Sequence, residues 1–238
     1  MIDIYSYTSR GGREHNEDSM GFVHTTDGAV AVVADGLGGH QGGDVASKTA
    51  VDAFLAQPPD GDFDSREWLA QRFEDANRAI LDRQSSQGNQ MKSTAVVLRI
   101  DGDHAAWAHM GDSRLYYLHG SEIASVTEDH SVAFKKYRAG EILRREIATD
   151  EDQSSLLRSL GVRGEIKPEF GEASPLSVGD GFLLCSDGFW EHLQDQEILF
   201  DFCKTNNAQA WAELLLLRVI ERMKSDSDNL SVLTAVIR

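Results

Sequence analysis

Residues 29–34, AVAVVA, form a run of small and β-branched apolar residues that stops at Asp35-Gly36. Its length and composition read as a buried strand. The loop beyond holds Gly36, Gly38, Gly39, Gly42 and Gly43, and a carboxylate beside so permissive a backbone is a common setting for catalysis or metal binding. Taken alone, Asp-Gly is more often an ordinary turn. Residues 19–25 and 29–34 flank Thr26-Asp27-Gly28, a hairpin signal that makes the two strands antiparallel neighbours. That pairing argues against a parallel nucleotide-binding unit, and Gln41 stands where the third glycine of G-x-G-x-x-G belongs.

The remaining pattern alternates strands and helices. A first strand is expected at 2–9, then a polar loop from Arg10 to Asp18. Ala46, Ala50, Ala53 and Phe54 predict a helix over 44–57, stopped by Pro58-Pro59. Asp64-Ser-Arg-Glu67 has the layout of a capping box opening a second helix, with Leu69, Phe73, Ala76 and Ile80 on one face. After a polar loop at 85–92, strands at 93–100, 103–109, 113–118 and 122–126 predict an antiparallel meander. Residues 127–165 break that rhythm with a helix near 131–139 and a mobile excursion. Strands at 166–173 and 181–186, helices at 194–204 and 207–223, and a strand at 230–237 complete the chain. Without an internal repeat or linker, residues 1–238 are expected to form one domain.

Composition narrows the function classes. The net charge of −16 disfavours a nucleic-acid partner, whose binding depends on clustered Lys and Arg. An anionic substrate would need bound cations or a local Arg to overcome the field of the protein. Cys185 and Cys203 have neither zinc-ligand spacing nor a disulfide framework, which fits a reducing cytoplasm. No signal-peptide layout opens the sequence and no apolar run approaches the roughly 18 residues of a membrane span, so a cytoplasmic protein without a membrane partner is expected.

Asp18, Asp35, Asp112, Asp187 and Asp228 each adjoin a predicted strand. Clustered carboxylates repel unless a cation compensates, and an oxygen-only donor set favours Mg²⁺ or Mn²⁺ over zinc. Each aspartate alone is more often a turn residue. As a set they are specific: Arg13-x-x-Asn16-Glu17-Asp18, Asp35-Gly36-x-Gly38-Gly39-His40, Gly111-Asp112-Ser113-Arg114, Ser186-Asp187-Gly188 and Asp228-Asn229. In order and approximate spacing the chain resembles the metal-dependent protein phosphatases of type 2C, in their bacterial branch, from about residue 5 to 237.

The resemblance implies an α+β fold, a four-layer αββα sandwich with two central antiparallel sheets flanked by helices, and a small flap at about 127–165 beside the site. A monomer is expected. Asp35 would bridge two Mn²⁺ or Mg²⁺ ions, the Gly36 carbonyl would bind one of them, and Asp18, Asp187 and Asp228 would complete the site. Asp112 with Asp187 matches the positions of a third, weaker metal. Arg13 would grip the phosphate of a phosphoserine or phosphothreonine protein made by a Ser/Thr kinase.

The chemistry fits those roles. Two divalent ions roughly 3.5–4 Å apart activate a bridging water for in-line displacement, and Arg can bind two phosphate oxygens together. One departure is Leu37, where many eukaryotic relatives carry a His thought to protonate the leaving alkoxide. His40 is better read as structural, and His109, His130 and His192 have no better support. Two alternatives are a phosphatase of a small phosphoester and a non-catalytic phosphoprotein-binding domain, the latter disfavoured by the intact aspartate set. A serine hydrolase is disfavoured because the G-x-S-x-G elbow is missing.

Overall fold

The computed structural model describes residues 1–38, 42–56 and 64–238. In chain order the strands are β1 (Ile2–Ser9), β2 (Asp18–His24), β3 (Gly28–Leu37), β4 (Lys92–Ser93), β5 (Ala95–Asp101), β6 (His104–Met110), β7 (Arg114–His119), β8 (Glu122–Val126), β9 (Glu169–Ala173), β10 (Gly181–Cys185) and β11 (Leu230–Ile237). The helices are α1 (Gly43–Leu55), α2 (Ser65–Gln87), α3 (Val132–Ala139), α4 (Asp187–Trp190), α5 (Asp195–Lys204) and α6 (Ala208–Arg222), with a 3-10 segment at Arg144–Thr149.

Among the described residues one sheet runs β1-β11-β10-β7-β8 and the other β2-β3-β5-β6-β9, with β4 pairing β3 off that path. Side chains alternate between faces with a period of two. Val33, Leu98 and Trp107 of the second sheet pack against Leu115, Phe182 and Leu233 of the first, forming the layer between the sheets. The opposite faces take the helices: Val32 and Val97 meet Phe54 and Phe73, while Tyr116 and Leu183 meet Phe202 and Trp211. The result is the expected α+β sandwich with helices outside two antiparallel sheets. Residues 29–34 lack polar alternation because both faces of β3 are covered.

Several boundaries differ from expectation, each for a physical reason. β3 does not stop at Ala34: Gly36 and Leu37 pair with Ser93 and Lys92 of β4, and the Gly36 N–H donates to Glu17 O at 3.1 Å. Asp18 and Asp35 therefore lie within the ladder instead of in loops. The meander is absent, because β6 pairs with β9 and β7 with β10, so the chain changes sheet between β6 and β7. Gly111 makes that corner with a φ of 103°, and a Cβ there would lie 2.5 Å from Thr94 Cγ2. Asp64 caps α2 by accepting from the Arg66 and Glu67 N–H groups, and α2 runs three residues into the expected 85–92 loop before Gly88 closes it at φ 69°. β9 is shorter than the expected 166–173, Glu169–Ala173, and the one-turn α4 lies where no helix is expected. Pro58-Pro59 lies outside the described residues.

The excursion at 127–165 is tied at its base. Ser131 bridges to Leu156 and Ser93 to Leu160, while the Leu157 N–H donates to His130 O at 2.7 Å.

Candidate metal centre

The β2–β3 register sets Asp18 directly opposite Asp35. β10 and β11 bring the other acids to this edge, since Asp187 follows one strand and Asp228 precedes the other. Ser186 joins the two sheets there: its Oγ donates to Asp18 Oδ2 at 2.7 Å and accepts from the Ser231 N–H at 2.9 Å. Asn229 ties the 10–17 loop to the same place, accepting from the Glu17 N–H at 2.7 Å and donating to the Arg10 and His15 carbonyls. Gly188 lets α4 settle on this segment, because a Cβ there would lie 2.1 Å from Asn229 O and 3.2 Å from Asp228 Cβ. Asp35 is held by its backbone, donating to Thr94 Oγ1 at 2.9 Å and accepting from the Thr94 N–H at 2.8 Å.

Asp112 comes from the β6–β7 corner. Its carbonyl accepts from Trp190 Nε1 at 2.9 Å, and its Oδ1 is buried without a hydrogen-bond partner. Arg13 Nη2 lies 2.9 Å from Asp228 Oδ2, with both side chains about half exposed. The lack of a side chain at Gly43 lets α1 approach the Gly36 carbonyl: a Cβ on Gly43 would sit 2.7 Å from Gly36 O and 2.8 Å from Glu17 Oε2.

Burial, reinforced by mutual repulsion, makes Asp18, Asp35, Asp112 and Asp187 hard to ionise together. Asp18 is pushed up to about 7 by burial, against hydrogen bonds from Ser186 and Ser231. Burial raises Asp35 well above the carboxylate range, and Asp187, Asp18, Asp112 and Asp228 add to the shift. Asp112 is raised well above its ordinary value by burial and Asp187, and Asp187 is raised by burial and Asp228. Glu17 and Glu191 are also raised, Glu191 to about 7, chiefly by burial and then by neighbouring aspartates. Excess negative charge and an orphaned buried carboxylate oxygen form an oxygen donor set suited to hard divalent cations.

Sequence reading missed several supporting groups. Ser186 and Asn229 stand inside the quoted motifs, but their hydrogen bonds span 168 and 212 residues and have no local signature. Gln153, from the excursion, donates to Asp187 Oδ2 at 3.1 Å and carried no sequence signal. Arg114 is buried in a two-pronged pair with Asp129, at 2.8 and 2.7 Å, and lies 3.4 Å from the Trp190 ring centroid. His40 lies outside the described residues. Leu37 pairs with Lys92.

His109 and His130 form a separate stack, with ring centroids 4.6 Å apart, and a ligand atom of each converges with one of Glu169 within 4.8 Å. Arg158 Nη1 already takes the cation's place there, 2.9 Å from His130 Nε2 and 2.8 Å from Glu169 Oε1. This cluster pins the end of the excursion to β9. His192 Nε2 is 3.3 Å from Glu191 Oε1 but is buried without a hydrogen bond.

A family model described as protein phosphatase 2C matches residues 8–214. The serine/threonine phosphatase stp of Listeria welshimeri is 34% identical over 200 residues, covering 80% of this chain and 79% of its own. Among solved structures, the S. agalactiae serine/threonine phosphatase superposes with a TM-score of 0.87 at 25% identity, covering 100% of both chains. The catalytic domain of the serine/threonine protein phosphatase PstP, in complex with two manganese ions, gives 0.84 at 25% identity, covering 100% of this chain and 99% of that one.

Proposed function

The chain belongs to the protein phosphatase 2C family and is a metal-dependent protein serine/threonine phosphatase using Mn²⁺ or Mg²⁺; from that premise we propose which of its residues do the work. Asp35 and the Gly36 carbonyl, with Asp18, Asp187 and Asp228, would hold two ions, and Asp112 with Asp187 would hold a third. The observation that carries this reading is the meeting of five aspartates where the two sheets abut, with Asp18, Asp35, Asp112 and Asp187 raised by burial and by neighbouring carboxylates. The bound ions supply a water of lowered pKa and neutralise the phosphate's charge.

The protein's own groups position the reaction. Arg13 keeps one prong on Asp228 and presents the rest of its fork to two phosphate oxygens. Ser186 holds the Asp18 carboxylate in one orientation, and Gln153 does the same for Asp187 from the flap. Leu37 has no proton to give, so the leaving alkoxide would take its proton from water or from another group of the site. Residues 1–238 act as one domain. The substrate is the product of a Ser/Thr kinase, and the free thiols Cys185 and Cys203 favour a reducing compartment. No described helix is long and apolar enough to cross a membrane.

The test is hydrolysis of a phosphothreonine peptide with Mn²⁺, Mg²⁺, Ca²⁺ and a chelator in parallel. Turnover is expected with Mn²⁺ or Mg²⁺ and none with chelator; chelator-insensitive turnover overturns the assignment.

A further inference from the structure

Between the flap's Arg144–Thr149 segment and residues 190–196 lies a groove of about 640 Å³, walled by Arg114, Arg144, Arg145 and Arg222 against Glu191 and Asp195. In a chain with a net charge of −16 such a concentration of guanidinium groups stands out against the average field. Three of them are partnered: Arg114 with Asp129, Arg144 with Asp195 at 2.7 Å, and Arg222 with Glu197 at 2.6 Å. Arg145 is exposed and makes no ion pair among the described residues. The groove begins next to the proposed centre. Glu191, on its wall, donates its N–H to Asp187 O at 2.9 Å, which puts it one helical turn, about 6 Å along the axis, from that aspartate.

We propose that this groove receives an anionic side chain flanking the phosphorylated Ser or Thr, with Arg145 as the cation that reads it. The inference rests on the phosphatase reading above and adds a determinant of substrate choice. Asp, Glu and a second phosphorylated residue share the chemistry, since a planar guanidinium fork accommodates either carboxylate or phosphate. Arg144 and Arg114 are held by their own acids and shape the wall, leaving Arg145 free to pair with an incoming anion. A charge at the rim of a site selects among partners without entering the reaction.

The test uses the full chain with Mn²⁺ and phosphothreonine peptides of one length, flanked by Asp/Glu, by a second phosphothreonine, by neutral residues or by Lys. 4-Nitrophenyl phosphate serves as a substrate without flanks. The wild type should favour an acidic flank over the neutral one by about tenfold in kcat/KM, and Arg145→Glu should abolish or invert that order. Arg145→Lys should keep the preference, and 4-nitrophenyl phosphate turnover should stay within about twofold in both variants. Whichever acidic flank gains more identifies the natural anion. Hydrolysis without flank preference, or an equal loss on every peptide in Arg145→Glu, overturns the groove alone. Failure to turn over any substrate overturns the phosphatase reading and the groove with it.

Discussion

Asp18 and Asp35 stand as direct cross-strand partners in the β2–β3 ladder. Like charges at facing positions destabilise a strand pair, and here both carboxylates are also raised by burial. A bound divalent cation would relieve both penalties. Asp35→Asn should lower Mn²⁺-dependent turnover of a phosphothreonine peptide by at least about hundredfold, the scale of losing one preorganised electrostatic contact. Removing one of two repelling charges should leave the metal-free variant melting no lower than metal-free wild type. A melt well below wild type would mean that Asp35 serves the fold and not the metals.

The same repulsion sets a pH dependence. Asp18 is held at about 7 against an ordinary 3.8, so the folded chain keeps a proton that the unfolded chain has released. Stability from such a group is complete below its unfolded value and is lost as pH rises through the folded one. Asp35 and Asp112, raised further, extend the loss upward. The lowered histidines His109, His130 and His192 act in the opposite sense, but only below their ordinary 6.5. Chelator-treated protein should therefore lose melting temperature as pH rises through about 7, and Mn²⁺ should flatten that slope. Identical slopes with and without Mn²⁺ would refute the coupling.

Arg114 and Asp129 form a buried two-pronged pair at the base of the flap. Asp129→Ala strands a buried guanidinium and should cost about 3–5 kcal/mol in urea denaturation. Lys48 and Asp52 make a similarly short contact on the exposed face of α1, at 2.8 Å, and Lys48→Ala should cost no more than about 1 kcal/mol. Equal effects would show that the flap base is open to solvent.

Gly188→Ala places a methyl group 2.1 Å from Asn229 O, a backbone atom that cannot swing aside. Either α4 or the Asp228-Asn229 segment must move, with Asp187 or Asp228. The expected result is a loss of about 1–3 kcal/mol, the range for overpacking, with weaker Mn²⁺ binding by calorimetry. Unchanged Mn²⁺ affinity would separate the packing of α4 from the metal site.

The secondary structure was largely legible because its signals are local. An unbroken run of small and β-branched residues marks β3, Asp64 marks the start of α2, and Leu69, Phe73, Ala76 and Ile80 mark its inner face. The errors arose where partners far along the chain decided the outcome. Asp35-Gly36 looks like a turn and is strand, because Lys92-Ser93 supplies the missing ladder. Residues 93–126 look like one meander and are two hairpins in two sheets, because β9 and β10 are the better neighbours. The motif order pointed to the aspartates through resemblance, whereas nothing local pointed to Gln153, to the Ser186 clasp or to the arginine groove.

By itself the sequence determined which segments are strands and helices, which faces are apolar, and that its acids need compensating charge. These follow from backbone repeats of two and 3.6 residues and from charge, all of them properties of neighbouring residues. The tertiary structure decided that Asp18, Asp35, Asp112, Asp187 and Asp228 share one edge, and that Arg145 faces a groove one helical turn from Asp187. That depends on strand order, β11 between β1 and β10 and β3 between β2 and β5, which no short-range pattern encodes. Carboxylates more than 200 residues apart in the chain are brought together by packing two apolar sheet faces against each other. Burial and shared charge then supply the demand for cations.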